Sequence, residues 1–198
     1  MSTLRPRKQP TQPRAIETVA CILEAAAQIL EAQGFEAFNT NAVAERAGVS
    51  IGSLYQYFPG KDALLIALME REKQRFRDDA AAALAEPSGR TALRHLIQAA
   101  VRQQLDRAEL ARLLDLEEEK PETRQVLEGK SGFAGLIRRI LEMPGLPLQP
   151  DVAGAADDVG QLIRALTDAA GLRGDSDAAA LEKRIAAAVF GYLGAAQM

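Results

Sequence analysis

A single cysteine, a single histidine and no tryptophan remove several classes of chemistry before any motif is read. Cys21 alone permits no intramolecular disulfide, so nothing in the sequence asks for an oxidising compartment. Cys21 and His95 cannot assemble a metal-ligand cluster, and they are remote from each other in sequence. Neither a metal centre nor a nucleophile-base pair is therefore expected. No P-loop or metal-binding motif occurs, and the carboxylates fall on polar helical faces. The chain thus reads as a non-enzyme with no catalytic residue and no cofactor. Long apolar runs are also missing. No stretch approaches the ~20 residues needed to span a bilayer, and the basic start, Arg5 to Arg14, is not followed by an apolar signal core. A cytoplasmic location with no membrane partner is expected. Aromatics make up only 5% of the residues, β-branched residues are sparse and no run alternates with period two, which leaves strands without support.

What is present favours helices. Ala, Leu, Glu, Gln and Arg dominate, and 198 residues with 47% hydrophobic content suffice for a small head on a larger all-α body. The net charge of −3 argues against a general nucleic-acid coating protein, which would bind through excess positive charge. Its distribution is uneven. Arg5, Arg7, Lys8 and Arg14 precede the first acid, Glu17, whereas acids concentrate later, as in Glu117-Glu118-Glu119.

Residues 1–12 are polar and interrupted by Pro6 and Pro10, and they read as a flexible basic arm. Two roles stay open for it: a contact to the minor groove or phosphates, or none. Pro13 to Gln33 reads as the first long helix, closed by Gly34, with Ile16, Val19, Ile22, Leu23, Ile29 and Leu30 as its apolar stripe and Cys21 as a small packing residue. Lys61 opens a long helix through Leu84 or Ala85, with Ala63, Leu64, Ala67, Leu68 and Phe76 inward and Arg71, Glu72, Lys73 and Arg77 outward. Pro87-Ser88-Gly89 breaks it. Helices follow at Thr91 to Asp106 and near Glu109 to Glu117. The next, from Pro121 toward Met143, should break at its glycines Gly129, Gly132 and Gly135. Two final helices, near Val152 to Ala170 and Asp177 to Ala196, form a hairpin with stripes that include Leu162, Ile163 and Leu166 on one and Ile185, Val189 and Phe190 on the other.

The segment Asn39 to Leu65, NTNAVAERAGVSIGSLYQYFPGKDALL, carries the most information. Thr40 to Ala47 reads as a short helix capped by Asn39, with Val43, Ala44 and Ala47 at one-turn spacing. Gly48 supplies the left-handed turn that ends it, and small Ala44 lets a second helix cross at a steep angle. Ser50 caps that second helix. At ~100° per residue, Leu54 and Phe58 fall on its inner face with Ile51 beside them, while Gly52, Ser53 and Gln56 fall opposite, flanked by Tyr55 and Tyr57. A small, polar and aromatic face of this kind fits a major groove. Lys61, Thr40 and Asn41 sit at helix N-termini, where free N–H groups and the dipole favour phosphate. Gln56 can pair bidentately with adenine, and Ser53 can donate or accept. Ile51 has two readings, a thymine-methyl contact or a core-edge residue. Gly52 lets the helix approach without collision.

The words AVAERAGVS, GSLYQYF and GKDALL, in this order and spacing, resemble the N-terminal DNA-binding domain of the TetR (tetracycline repressor) family of bacterial transcription regulators. The resemblance covers Arg14 to Leu68; beyond it only length and helicity agree. It implies DNA contacts at Tyr55 and Tyr57, and a helix-turn-helix domain over 13–60 followed by a ligand-binding and dimerisation domain over 61–198. The implied protein is a homodimer that binds double-stranded DNA at an inverted-repeat operator, with the helix from Lys61 as the lever moved by a small-molecule effector. A repressor released by that effector is the leading reading. The alternative is a helical small-molecule-binding protein without DNA binding. In the second domain His95, Gln98 and Arg102 share one helical face, either lining a polar part of the ligand pocket or simply solvated. The C-terminal stripes are open in the same way, as intrachain core or, as the resemblance favours, as a four-helix dimer interface.

Overall fold

The computed structural model describes residues 12–127 and 133–195, and the arm residues Arg5, Arg7 and Lys8, with Gly129 and Gly132, lie outside these. Among the described residues there are helices and no strands: α1 (Pro13–Ala37), α2 (Thr40–Arg46), α3 (Ile51–Tyr57), α4 (Lys61–Ala82), α5 (Gly89–Leu105), α6 (Ala108–Glu118), α7 (Pro121–Leu127), α8 (Phe133–Leu141), α9 (Val152–Arg173) and α10 (Ala178–Ala195), with a short 3-10 turn at Ala83–Ala85 after α4. The all-α expectation is met. The chain divides into two compact units, residues 1–73 with 113–128 and residues 74–112 with 129–198, so that α4 and α6 each supply residues to both.

The first unit is built on α1, α2, α3 and the first half of α4. Proline opens α1, and Gly34, at φ 69°, ψ −167°, interrupts its helical geometry where the sequence predicts the stop. Ile22, Ala26, Leu30, Phe38, Val43, Leu54, Phe58, Leu64 and Leu68 are all essentially inaccessible. Burying each of the larger side chains contributes roughly 1.5–3 kcal/mol. Two expectations for α1 fail at its exposed start: Ile16 is 51% exposed and Cys21 is exposed, because the packed stripe begins only at Ile22. The start of α4 departs further from an amphipathic pattern. Ala63 through Met69 are buried without interruption, so this stretch is covered on every side. Glu72, expected outward, is buried and Arg71 half-buried. The Arg71 guanidinium lies 2.5 Å from Glu72 and 3.0 Å from Glu24 on α1. Charges are kept inside here because each meets a partner. Lys73 likewise reaches Glu118 of α6, at 2.6 Å.

In the second unit α5, α8, α9 and α10 pack on one another around Leu93, Leu96, Ile97, Val101, Ile137, Ile140, Val159, Ile163, Leu181, Ile185 and Val189. The capping box of Ser88 and Thr91 starts α5 at Gly89, a little earlier than the periodicity suggests. Asp151 and Asp177 cap α9 and α10 through backbone N–H groups at 3.0 and 2.9 Å. Helix α9 passes through Gly171 and ends only at left-handed Gly174. Gly135 does not break its helix but lies inside α8.

Candidate nucleic-acid interface

The helix-turn-helix is held by caps at each joint. Asn39 Oδ1 accepts from Ala42 N at 2.9 Å, and Ser50 Oγ accepts from Ser53 N at 3.1 Å, so both short helices begin with a satisfied donor. Between them the chain reverses through Gly48 at φ 68°. Gly48 N–H donates to Glu45 O and Val49 N–H to Ala44 O, at 3.1 and 3.0 Å. This pairing of last-turn carbonyls is the Schellman arrangement, and it requires the left-handed residue. Val43 and Ala44 from α2, Leu54 from α3 and Phe58 just past its end are buried, fixing the rotation of α3 about its axis.

That rotation decides what faces solvent. Gly52 and Gln56 are exposed, as are Ile51 at 38% and Tyr55 at 41%. Ile51 stands at the edge of the core beside the fully buried Leu54, with part of its side chain open to solvent. Ser50, Asn41 and Lys61 are exposed, and Thr40, Ser53 and Tyr57 are half-buried. The candidate residues thus lie on α2, α3 and the start of α4, each at least partly open to solvent. Four of them are already paired within the chain. Thr40 Oγ1 and Tyr55 OH lie 3.3 Å apart, bridging α2 and α3, and the Ser53 and Ser50 hydroxyls lie 2.8 Å apart.

Lys61 stands at the first residue of α4. Its Nζ donates to Phe35 O at 3.3 Å and sits 5.6 Å from the Phe38 ring centroid, which steers the ammonium without neutralising it by a carboxylate. Sequence reasoning passed over Arg46, exposed in the last turn of α2, whose Nε donates to Gln28 at 2.9 Å; a basic residue closing the first helix of the pair was the available signal. These residues together offer cations, hydroxyls and an amide, the donor set for phosphate and base-edge contacts.

The second-unit candidates His95, Gln98 and Arg102 all pair with carboxylates. His95 lies between carboxylates, its Nδ1 3.1 Å from Glu86 and its Nε2 3.6 Å from Asp79, and Arg102 pairs with Asp79 at 2.8 Å. Gln98 donates to Glu182 at 3.4 Å. This is a partly solvated polar network. A groove of about 500 Å³ opens beside it, between Arg90 and Arg94 of α5 and Glu182, Lys183, Ala187 and Phe190 of α10. The i, i+4 spacing of the two arginines was its only mark in the sequence. Of the residues assigned to a dimer interface, Ile163, Ile185 and Val189 are 2%, 0% and 0% exposed. They belong to the chain's own core and are corrected accordingly. Leu162, Leu166 and Phe190 are partly buried against that core.

Comparison with known proteins separates the two units. The family model of bacterial regulatory proteins, tetR family, matches residues 22–68. The HTH-type transcriptional repressor KstR of Mycolicibacterium smegmatis is 48% identical over 54 residues, 27% of this chain and 26% of that repressor; the match thus spans about a quarter of the relative. Over nearly the whole chain the likeness is one of fold. The fatty acid degradation regulator FadR of Bacillus halodurans superposes with a TM-score of 0.71 at 21% identity, over 92% of this chain and 97% of that one. The transcriptional regulator FadR of Bacillus subtilis, solved in complex with stearoyl-CoA, gives 0.69 at 22% identity, over 86% and 97%.

Proposed function

We propose that this chain, whose first domain is that of the tetR family of bacterial regulatory proteins, is a transcriptional repressor that binds an inverted-repeat DNA operator as a homodimer and leaves it when a small-molecule effector binds. The observation that carries the reading is the outer face of α3, where Gly52, Tyr55 and Gln56 are exposed on a helix whose start, inner face and neighbour are all fixed.

On this reading Lys61, Thr40, Asn41 and Tyr57 hold phosphates and set the register. Gln56, Ser53 and Ile51 read base edges, and Gly52 permits close approach. Two copies present two such helices, so the half-site spacing follows from the dimer. The partner surface is formed by what α9 and α10 leave outside, including Leu162, Leu166, Ala165, Gly191 and Gly194. Effector and operator prefer different arrangements of the pair, and α4, which supplies residues to both units, carries the coupling, typically ~1–3 kcal/mol. The likeness to a FadR solved with stearoyl-CoA makes acyl thioesters the first effectors to try. Selection from random duplex DNA at stated salt tests the reading. Enrichment of one inverted repeat is expected, and no enrichment by folded, dimeric protein would overturn it.

A further inference from the structure

We propose that the groove between α5 and α10 binds a soluble organic phosphate monoester carrying an apolar tail. Three cations, Arg90, Arg94 and Lys183, line it against one carboxylate, Glu182. None of the three pairs with a carboxylate among the described residues, whereas Glu182 already accepts from Gln98. In a chain of net charge −3, this is a local surplus of two positive charges, the match for a phosphate dianion rather than for a carboxylate.

The two guanidinium groups are also held in place. Arg90 and Arg94 lie over the Phe190 ring, at 4.8 and 5.6 Å from its centroid. Stacking on one ring restricts both side chains before any ligand arrives, and the planar fork of each still offers paired N–H donors. Arg90 lies in the first turn of α5, where the helix dipole adds to the positive potential. The volume, about 500 Å³, falls within the ~300–1,000 Å³ of small-molecule sites and exceeds what a bare phosphate fills. The remaining wall is Ala179, Ala186, Ala187 and Phe190, which suits a hydrocarbon tail. The inference does not rest on DNA binding.

Calorimetric titration of the full chain with octyl phosphate tests it, with circular dichroism melting and DNA affinity as controls on each variant. One site per chain is expected. Arg90→Gln and Arg94→Gln should each weaken it about tenfold, the effect of losing one charge-assisted contact, while both controls stay unchanged. Unaltered binding in the double Arg→Gln variant would overturn the proposal, as would inorganic phosphate binding as tightly as the ester. Sedimentation with phosphatidic acid vesicles without binding of the soluble ester would overturn it in favour of a membrane contact.

Discussion

Thr40 Oγ1 and Tyr55 OH, 3.3 Å apart, join the start of α2 to the exposed side of α3. The bridge orients a ring that would otherwise rotate freely over the open face. Tyr55→Phe removes it and leaves the packing intact. A partly exposed hydrogen bond is worth roughly 0.5–1.5 kcal/mol at most, so the urea midpoint should shift little. Operator affinity should fall several-fold, because the hydroxyl and its orientation are both lost. A variant that unfolds earlier yet binds DNA normally would make the bridge structural only.

Lys61 and Gln56 should fail in different ways. Lys61→Ala removes one phosphate contact, so affinity should drop on every sequence and the salt-dependence slope should decrease by about 0.9. Gln56→Ala should cost ~1–3 kcal/mol on the preferred site and relax preference at one base pair per half-site. Titrations of operator and scrambled duplex at several salt concentrations separate the two. The same loss of discrimination in both variants would contradict the division into positioning and reading residues.

Gly89 is required by space rather than by backbone conformation. A Cβ there would stand 2.6 Å from Leu146 Cδ1 and 2.9 Å from the Ile140 carbonyl oxygen, while Gly89 N–H donates to Pro144 O at 2.8 Å. The carbonyl cannot rotate aside as a side chain could. Gly89→Ala should destabilise the chain by ~1–3 kcal/mol, the usual effect of overpacking, read as a lower denaturant midpoint at an unchanged slope.

Tyr192 on α10 donates to Asp158 Oδ2 of α9 at 2.5 Å. That hydrogen bond, with a smaller contribution from burial, holds the phenol above its ordinary value of 10.0. A raised folded-state value means that the folded chain holds the proton more tightly than the unfolded one. The contact therefore contributes its full stability below pH 10 and loses it as pH rises through and beyond that point. Tyr192→Phe should be less stable than the parent at pH 8, and the gap should close at higher pH. Parallel stability curves from pH 8 to 11 would refute the linkage.

The residues that were legible in sequence are those whose signal is local. Asn39, Gly48, Ser50 and Leu54 each act within one turn of their own position, and spacing alone placed them on the right face. Cys21, Ile16 and Glu72 were misread because their burial depends on where distant segments lie: α1 packs only from Ile22 onward, and Glu72 is covered while Arg71, which also pairs with Glu24 of α1, neutralises it. The stripes of α9 and α10 were read correctly as apolar. Periodicity, however, does not say whether an apolar stripe meets its own chain or another, and Ile163, Ile185 and Val189 turned out to fill the intrachain core. The groove at Arg90 and Arg94 was illegible for the same reason, since its floor, Phe190, comes from a helix a hundred residues away.

Gly52 gives the sharpest separation of folding from function. It lies in the first turn of α3 with ordinary helical geometry, and an added Cβ would meet only Ser50 Oγ, at 3.8 Å. Gly52→Ala therefore meets no obstruction inside the chain, and the gain in helix propensity should raise stability by up to ~1 kcal/mol. If α3 enters the major groove by this face, the same methyl collides with DNA that the glycine lets close, and operator affinity should fall by tenfold or more. Stability rising while affinity falls is the expected pair of outcomes from one thermal melt and one binding titration. A stabilised variant with undiminished affinity would mean that DNA does not approach here, and the reading role of Gln56, one turn further along the same face, would have to be abandoned with it.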